Sequence, residues 1–247
     1  MSRHGHRFYL PDTLATGMSY SLPDQTSRQI VNVLRLKPGD EIRLFSGDGS
    51  EFSAEITDVR RGIVAVRVAR RDPGIAQLAP SLTVALSLIK HDRFEWALQK
   101  LTELGVDRVI PMATERTVLS FRVDRAAQRF ARWQRIVVEA AEQSGRATLP
   151  AIEPATEFSD VLAVHAESRA IVLWEDEQAV DLPRLLDDRP TLLFIGPEGG
   201  FSAAEVDLAR EMGCDTASLG PLTLRAETAA VAAAAMMLAH RMNQRTN

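Results

Sequence analysis

The chain has 247 residues, of which 45% are hydrophobic and 25% charged, so it is long enough to bury one or two cores. Its single cysteine, Cys214, cannot form an internal disulfide, and no apolar run reaches the length of a membrane span. These features favour a cytoplasmic protein without a membrane partner. The five histidines and one cysteine have no spacing typical of a metal site, so no metal is expected.

The net charge of −4 is unevenly distributed along the chain. Residues 1–150 carry 22 Lys and Arg against 17 Asp and Glu, whereas residues 151–247 carry 7 against 16. Nearly all the basic residues are arginines, whose planar guanidinium suits phosphate oxygens and stacking on bases. The asymmetry favours an RNA-binding protein that docks one face, and chance variation on a mixed surface is the alternative.

The first 73 residues have the pattern of a small β-barrel. Turn residues at Lys37–Asp40 and Ser46–Gly49 separate short segments of β-branched or alternating character. The predicted strands are Val31–Leu36, Glu41–Phe45, Glu51–Thr57 and Ile63–Ala69. The segment that starts at Asp72 with Asp-Pro-Gly is the best linker, so we predict one domain at 1–73 and a second at 74–247.

Beyond residue 82, apolar strands alternate with amphipathic helices. Predicted strands are Leu82–Ile89, Val106–Met112, Ala170–Trp174, Thr191–Ile195 and Thr216–Leu219. Predicted helices run from Asp92 to Gly105, from Asp124 to Ser144, from a capping box at Ser202–Glu205 to Gly213, and from Ala226 to Met242. This alternation predicts an α/β fold in which helices cover both faces of a mostly parallel sheet.

Two loops follow strands of this sheet, where ligands of open α/β sheets bind. The first contains Ile-Gly-Pro-Glu-Gly-Gly-Phe-Ser at Ile195–Ser202, and the second runs from Leu219 to Thr228. Neither contains a dinucleotide or nucleoside triphosphate motif. Taken singly, each is explained as well by an ordinary strand-to-helix turn, with Arg225 and Glu227 as an ion pair near a helix N-terminus.

Together, Ile-Gly-Pro-Glu-Gly-Gly and the later Leu-Gly-x-x-x-Leu-Arg-x-Glu-Thr-Ala resemble the cofactor signature of the SPOUT methyltransferases. Further segments, Val33–Asp40, Leu44–Gly47, Thr102–Val106 and Glu139–Arg146, resemble the RsmE family of 16S rRNA uridine-N3 methyltransferases. The resemblance covers nearly the whole chain. Two positions depart from the family pattern, since Gln29 stands where His is common and Leu222 where Arg is common.

The resemblance implies a PUA-like β-barrel that binds RNA, followed by a SPOUT-type parallel sheet whose C-terminal chain forms a trefoil knot. It implies a homodimer that uses S-adenosylmethionine to methylate N3 of a specific uridine, the family site U1498, in the small ribosomal subunit. The residues it places at the cofactor are Leu173, Ile195, Gly196, Pro197, Glu198, Gly199, Leu219, Gly220, Leu224, Arg225 and Thr228. The apolar Ala229–Met242 segment is a candidate dimer contact, with core packing as its alternative.

Uracil N3 carries a proton that must leave before the methyl group can be accepted. Arg225 is the candidate to stabilise the resulting negative charge, and Glu198 or Glu227 is the candidate proton acceptor. Basic side chains of the front half are candidate RNA contacts, although a solvated charged face is the plainer interpretation. These are Arg7, Arg28, Arg35, Lys37, Lys90, Arg93, Lys100, Arg116, Arg129, Arg132 and Arg146, with Arg125 and Arg135 on the same arc of the long helix.

Two other functions remain open on the sequence. One is a SPOUT methyltransferase that acts on another RNA position or on a ribose 2′-hydroxyl. The other is a ribosome-assembly protein that binds RNA without catalysis.

Overall fold

A computed structural model of the chain describes residues 5–74, 79–117, 126–163 and 168–244. The chain folds into two compact units. The barrel unit comprises Met1–Gln77 and Val138–Leu149, and the sheet unit comprises Leu78–Val137 and Pro150–Asn247. The segment 138–149, which the sequence places in the second domain, groups with the barrel because Ala141 and Ala147 pack against the buried Phe45.

Five strands form the sheet of the barrel unit, in the order β1-β3-β4-β5-β2. The β1–β3 pair is parallel and the other pairs are antiparallel. Alternate residues of these strands, such as Ile42 and Leu44, point into a continuous apolar core. The strands are β1 (Arg7–Tyr9), β2 (Ser19–Ser21), β3 (Glu41–Phe45), β4 (Glu51–Arg60) and β5 (Ile63–Asp72).

The predicted strand Val31–Leu36 is wrong. Helix α1 (Asp24–Arg28) begins after Pro23 and continues as a π-helical segment, Gln29–Leu34. Ile30 and Leu34 face the core at helical spacing, whereas Val33 is 72% exposed, so the β-branched residues misled the sequence prediction. The segment ends at Arg35, whose left-handed backbone, with φ of 56°, stops the helix.

The sheet unit contains a parallel sheet in the order β12-β10-β11-β6-β7-β8, with β9 also paired to β7. Its strands are β6 (Leu82–Ser87), β7 (Arg108–Ala113), β8 (Ala151–Ile152), β9 (Thr156–Glu157), β10 (Arg169–Leu173), β11 (Thr191–Ile195) and β12 (Asp215–Ala217). Its helices are α2 (His91–Glu103), α4 (Phe158–Ala163), α5 (Ala203–Glu211) and α6 (Ala226–Gln244), and α3 (Ala126–Ser144) spans the division between the units.

Helices cover both faces of this sheet, as predicted. On one face, Phe158 of α4 and Val206 of α5 pack with Val172 and Phe194. On the other, α6 packs against β6, β11 and α2. The alanine-rich side of α6, with Ala230, Ala233, Ala234 and Met237, is buried inside this unit, so these four side chains pack in the core. A dimer contact through this helix stays a prediction.

The helix ends follow the sequence signals in most cases. The capping box is confirmed, since the Ser202 hydroxyl accepts a hydrogen bond from the Glu205 amide and the Glu205 carboxylate accepts one from the Ser202 amide. The N-cap of α2 is Lys90, two residues before Asp92, where the sequence predicted the helix to begin. Asp124, where the long helix was predicted to begin, lies outside the described residues. Within those residues, no helix is long and apolar enough to cross a membrane.

Candidate functional site

A cavity of about 770 Å³ lies at the carboxyl ends of β10, β11 and β12. Two loops form much of its wall: the first glycine loop, Gly196–Gly200, follows β11, and the second glycine loop, Leu219–Arg225, follows β12. Strand β10 separates those two strands in the sheet, and its last residue, Leu173, also lines the cavity. The two loops singled out in the sequence therefore share one cavity in the place where ligands of α/β sheets bind.

The first glycine loop is tightly turned. The amide of Gly200 donates to the carbonyl of Pro197 at 2.9 Å, which closes the turn. Gly200 has a φ of 67°, and a Cβ there would collide with the Glu175 carboxylate. A Cβ at Gly196 would lie 3.1 Å from the Phe201 ring. The left-handed backbone of Gly200 favours glycine, and a Cβ there would force the Glu175 carboxylate to move.

Two arginines from outside the loop contact it. Arg93, on the first turn of α2, reaches the Glu198 carboxylate with Nη1 at 3.0 Å. Its Nε lies 3.7 Å from Oε1 of Glu227, at the start of α6. Arg116, in the loop after β7, donates from Nη1 to the carbonyl of Gly199 at 2.7 Å and to that of Phe201 at 3.4 Å.

The second glycine loop is open to solvent. Gly220 has a φ of 109°, and Leu222 is 77% exposed. The loop is fixed at its ends: the Ser218 hydroxyl donates to Asp181 at 2.8 Å, and the amide of Ala229 donates to the carbonyl of Arg225 at 2.8 Å. Arg225 itself is exposed and lines the cavity immediately before α6.

A third, acidic segment completes the wall and was not predicted from the sequence. Glu175, Glu177 and Asp181 all line the cavity after β10. Glu177 accepts hydrogen bonds from Thr216 at 2.6 Å and from Arg210 at 3.2 Å; the Thr216 bond contributes most to lowering its pKa. The signal available was the run Glu-Asp-Glu directly after a buried strand that ends at the same sheet edge.

Most of the predicted cofactor residues line this cavity. They are Leu173, Ile195, Gly196, Pro197, Glu198, Leu219, Gly220, Leu224 and Arg225. Gly199 and Thr228 do not: Gly199 lies exposed beside Arg116, and Thr228 is exposed on the first turn of α6.

The three predicted catalytic residues are placed differently. Glu198 and Arg225 line the cavity, but Glu227 does not. The Glu227 side chain is 11% exposed and its Oε1 faces Arg93, while its Oε2 has no hydrogen-bond partner among the described residues. Of the two candidate proton acceptors, only Glu198 therefore borders the space in which a reaction could occur.

Two predicted RNA contacts are buried in the barrel unit. The Arg7 guanidinium pairs with both oxygens of Glu51 at 3.1 Å, and Arg146 donates to the Thr148 hydroxyl at 2.9 Å. Because both side chains are buried, we do not retain Arg7 and Arg146 as RNA contacts. The correction follows from burial, which charge alone cannot reveal.

The other predicted RNA contacts lie nearer the surface. Arg132 pairs with Glu95, Lys100 pairs with Glu103, and Arg129 is half-buried with interactions of its own. Arg125 lies outside the described residues. Exposed residues of the set are Arg28, Arg35, Lys37, Lys90, Arg116 and Arg132. Across the ranges that the structure describes, no group of three or more His, Cys, Asp or Glu is placed to hold a metal ion.

Comparison with known proteins gives the same picture for both parts of the chain. Residues 77–238 match the model of the RNA methyltransferase domain, and residues 22–69 match that of the RNA methyltransferase PUA domain. The Bacillus subtilis ribosomal RNA small subunit methyltransferase E is 32% identical over 85% of this chain and 86% of its own length.

Solved structures agree over nearly the full length. That of ribosomal RNA small subunit methyltransferase E from Neisseria gonorrhoeae, bound to S-adenosyl methionine, is similar with a TM-score of 0.88 and 35% identity, over 96% of this chain and 98% of that one. A putative methyltransferase from Legionella pneumophila, in complex with the same cofactor, has a TM-score of 0.84 and 30% identity, over 96% and 98%.

The two-unit fold and the matched domains define an RNA methyltransferase with a PUA domain. More particularly, the chain belongs to the family of ribosomal RNA small subunit methyltransferase E. The predicted family and fold class are thereby confirmed. The trefoil knot stays a prediction.

Proposed function

We propose that the protein transfers the methyl group of S-adenosylmethionine to N3 of one uridine in 16S rRNA of the small ribosomal subunit. The observation that carries the proposal is the single cavity enclosed by the two glycine loops and the end of β10. Membership of the family supports the substrate, because its members are methyltransferases of small-subunit RNA.

The cavity suits this cofactor chemically. Apolar side chains of Leu173, Ile195 and Leu219 form a wall against which a purine ring packs, and the glycine loops bring backbone polar groups close to it. The acidic side chains of Glu175 and Asp181, on the segment after β10, suit the positive charges of a sulfonium and an ammonium group. When bound, S-adenosylmethionine supplies an electrophilic methyl group.

The chain's own residues must handle the proton and charge of the uracil. Glu198 borders the cavity with a carboxylate that is 41% exposed, so it is the better-placed acceptor for the N3 proton. Arg225 borders the same space and would stabilise negative charge on the carbonyl oxygens beside N3. Glu227 faces Arg93 instead, which argues for a supporting role.

RNA would be held by basic side chains at the surface. Arg28, Arg35 and Lys37 are exposed in the barrel unit, and Lys90 is exposed next to α2. Removing any one side chain that binds a phosphate should reduce the salt dependence of RNA binding by about one unit of slope.

We also propose, from the family resemblance, that the protein is a homodimer in the cytoplasm. Light scattering after size-exclusion chromatography measures the mass of the assembly.

The decisive experiment incubates unmodified small subunits with the protein and methyl-labelled S-adenosylmethionine, then maps the labelled nucleotide and the methylated atom. Label at N3 of a single 16S rRNA uridine is the expected result. Label on a ribose hydroxyl or another base contradicts the proposed position. Cofactor binding by calorimetry without any transfer would identify a binding protein.

The proton acceptor is tested separately, by single-turnover assays of Glu198→Gln and Glu227→Gln. A large loss of rate is expected only for Glu198→Gln.

A further inference from the structure

Arg93 and Arg116 were predicted to contact RNA, yet both are engaged with the first glycine loop. Arg93 meets the loop through the Glu198 carboxylate, and Arg116 meets it through the main-chain carbonyls of Gly199 and Phe201. Thus two cations, one from α2 and one from the loop after β7, contact three positions of this segment: Glu198 and Gly199 in the loop, and Phe201 directly after it.

Arg93 also connects the two halves of the cavity wall. Its second partner, Glu227, belongs to the first turn of α6, directly after the second glycine loop. A carboxylate as buried as that of Glu227 is costly unless a cation faces it, and Arg93 is that cation, with its own side chain only 26% exposed. One guanidinium therefore links a carboxylate of the first glycine loop to one that follows the second.

Arg116 restrains the loop on its main chain. A guanidinium that donates to a peptide carbonyl at 2.7 Å forms a charge-assisted bond, stronger than a neutral one. The same segment is attached a second time, because the amide of Glu115 donates at 2.9 Å to Glu205, the acid of the capping box that begins α5. The loop after β7 thus supports both the first glycine loop and the helix start that follows it.

We propose that Arg93 and Arg116 are positioning residues, which hold the first glycine loop in the shape that binds the methyl donor, and that they do not bind RNA. The inference rests on the proposed function, because it assumes that the cavity binds S-adenosylmethionine. It predicts that loss of Arg93 or Arg116 weakens binding of the cofactor without weakening binding of RNA.

The test measures both affinities for Arg116→Met and Arg93→Met. Calorimetry with S-adenosylmethionine should give a Kd raised about tenfold for each variant, as expected for the loss of a charge-assisted bond that preorganises a site. Binding of transcribed 16S rRNA should keep its affinity within about twofold and its salt slope unchanged. In turnover assays, KM for the cofactor should rise in both variants, whereas kcat at saturating cofactor should change little in Arg116→Met, whose side chain contacts main-chain carbonyls and not the Glu198 carboxylate.

Arg189→Met is the matched control. Arg189 is an exposed arginine that also pairs with a carboxylate, Asp187 at 2.7 Å, but it precedes β11 and so lies at the opposite end of that strand from the first glycine loop. Its loss should leave the cofactor Kd, KM and kcat unchanged. Thermal unfolding of all variants identifies any effect of misfolding. The conservative variant Arg93→Lys keeps a cation beside Glu227 and should recover part of the cofactor affinity.

A double-variant cycle sharpens the assignment for Arg93. If Arg93 acts through Glu198, Arg93→Met should raise the cofactor Kd much less in the Glu198→Gln variant than in the wild-type protein. The inference is overturned if Arg93→Met and Arg116→Met leave the cofactor Kd unchanged while RNA affinity and salt slope fall. Should the wild-type protein bind no S-adenosylmethionine, the proposed function fails and takes this inference with it, a result distinct from failure in the variants alone.

Discussion

Arginines in the two units do different work, although the sequence makes them look alike. In the barrel unit, Arg7 is 3% exposed: it pairs with Glu51, donates to the carbonyl of Ala141 at 3.0 Å and lies 4.9 Å above the Phe45 ring. In the sheet unit, Arg93 and Arg116 are more accessible and contact a loop beside the cavity. The difference teaches that burial decides whether loss of an arginine costs stability or alters the site.

The largest expected effect is on stability, from Arg7→Met. The substitution leaves the buried Glu51 carboxylate with Arg43 alone, which lies 3.1 Å away and is partly exposed. We expect the free energy of unfolding to fall by about 3 kcal/mol, a typical cost of breaking a buried ion pair. Chemical denaturation measures it, with the exposed Arg28→Met as control. A loss below about 1 kcal/mol would remove the distinction between the two groups of arginines.

Gly200→Ala should affect the cavity more than the fold. The left-handed backbone costs about 1 kcal/mol with a Cβ, and the new methyl group must also displace the Glu175 carboxylate that lines the cavity. Gly213→Ala, with φ of 83° and open space around it, is the matched control for the backbone cost alone. Both variants should lose similar stability by thermal denaturation, and only Gly200→Ala should weaken binding of S-adenosylmethionine, by about tenfold or more. Equal cofactor affinities would contradict the role given to the first glycine loop.

Ser202→Ala should have an intermediate effect, because the capping box lies directly after that loop. Removal of the hydroxyl leaves the Glu205 amide without its acceptor and should lower the free energy of unfolding by about 1 kcal/mol. Cofactor affinity should change less than in Arg116→Met, since the Arg116 bonds to Gly199 and Phe201 remain. Denaturant titration and calorimetry on the same preparation compare the two quantities. A larger cofactor effect than that of Arg116→Met would show that the cap, not the arginine, shapes the loop.

The smallest effect concerns Glu142, a half-buried carboxylate in the barrel unit. Burial raises the pKa of Glu142 above its ordinary value of 4.5, although its Oε1 accepts a hydrogen bond from the Tyr9 amide at 2.9 Å. The stability that this group contributes is present below about pH 4.5 and is lost as pH rises through the higher folded value. Glu142→Gln keeps the acceptor and cannot ionise, so at neutral pH it should be more stable than wild type, by less than about 1 kcal/mol. Stability curves of the two proteins that stay parallel from about pH 4 to about pH 8 would contradict this.

The sequence predicted most of the sheet unit and its cavity because periodicity and turn residues there are strong. Strand Thr191–Ile195 was predicted with its observed bounds, and the capping box at Ser202 is present as predicted. The two-residue strands β8 and β9 were not predicted, because two residues are too few to show a periodic pattern. The partners of Arg7 and Arg93 could not be predicted, because Glu51, Glu198 and Glu227 are distant in the chain and meet only in the fold.

The barrel unit is not one continuous stretch of polypeptide. Its second piece, Val138–Leu149, follows the intervening Leu78–Val137 and supplies Ala141 and Ala147 against Phe45, together with main-chain acceptors for Arg7. A fragment that ends at residue 73 would therefore lose the packing of Ala141 and Ala147 on Phe45. It would also lose the two main-chain carbonyls that accept hydrogen bonds from Arg7. A fusion of the barrel unit to another enzyme would therefore have to include residues Val138–Leu149 as well as the N-terminal piece. Likewise, duplication of one continuous stretch of the gene could not copy this unit without the intervening residues.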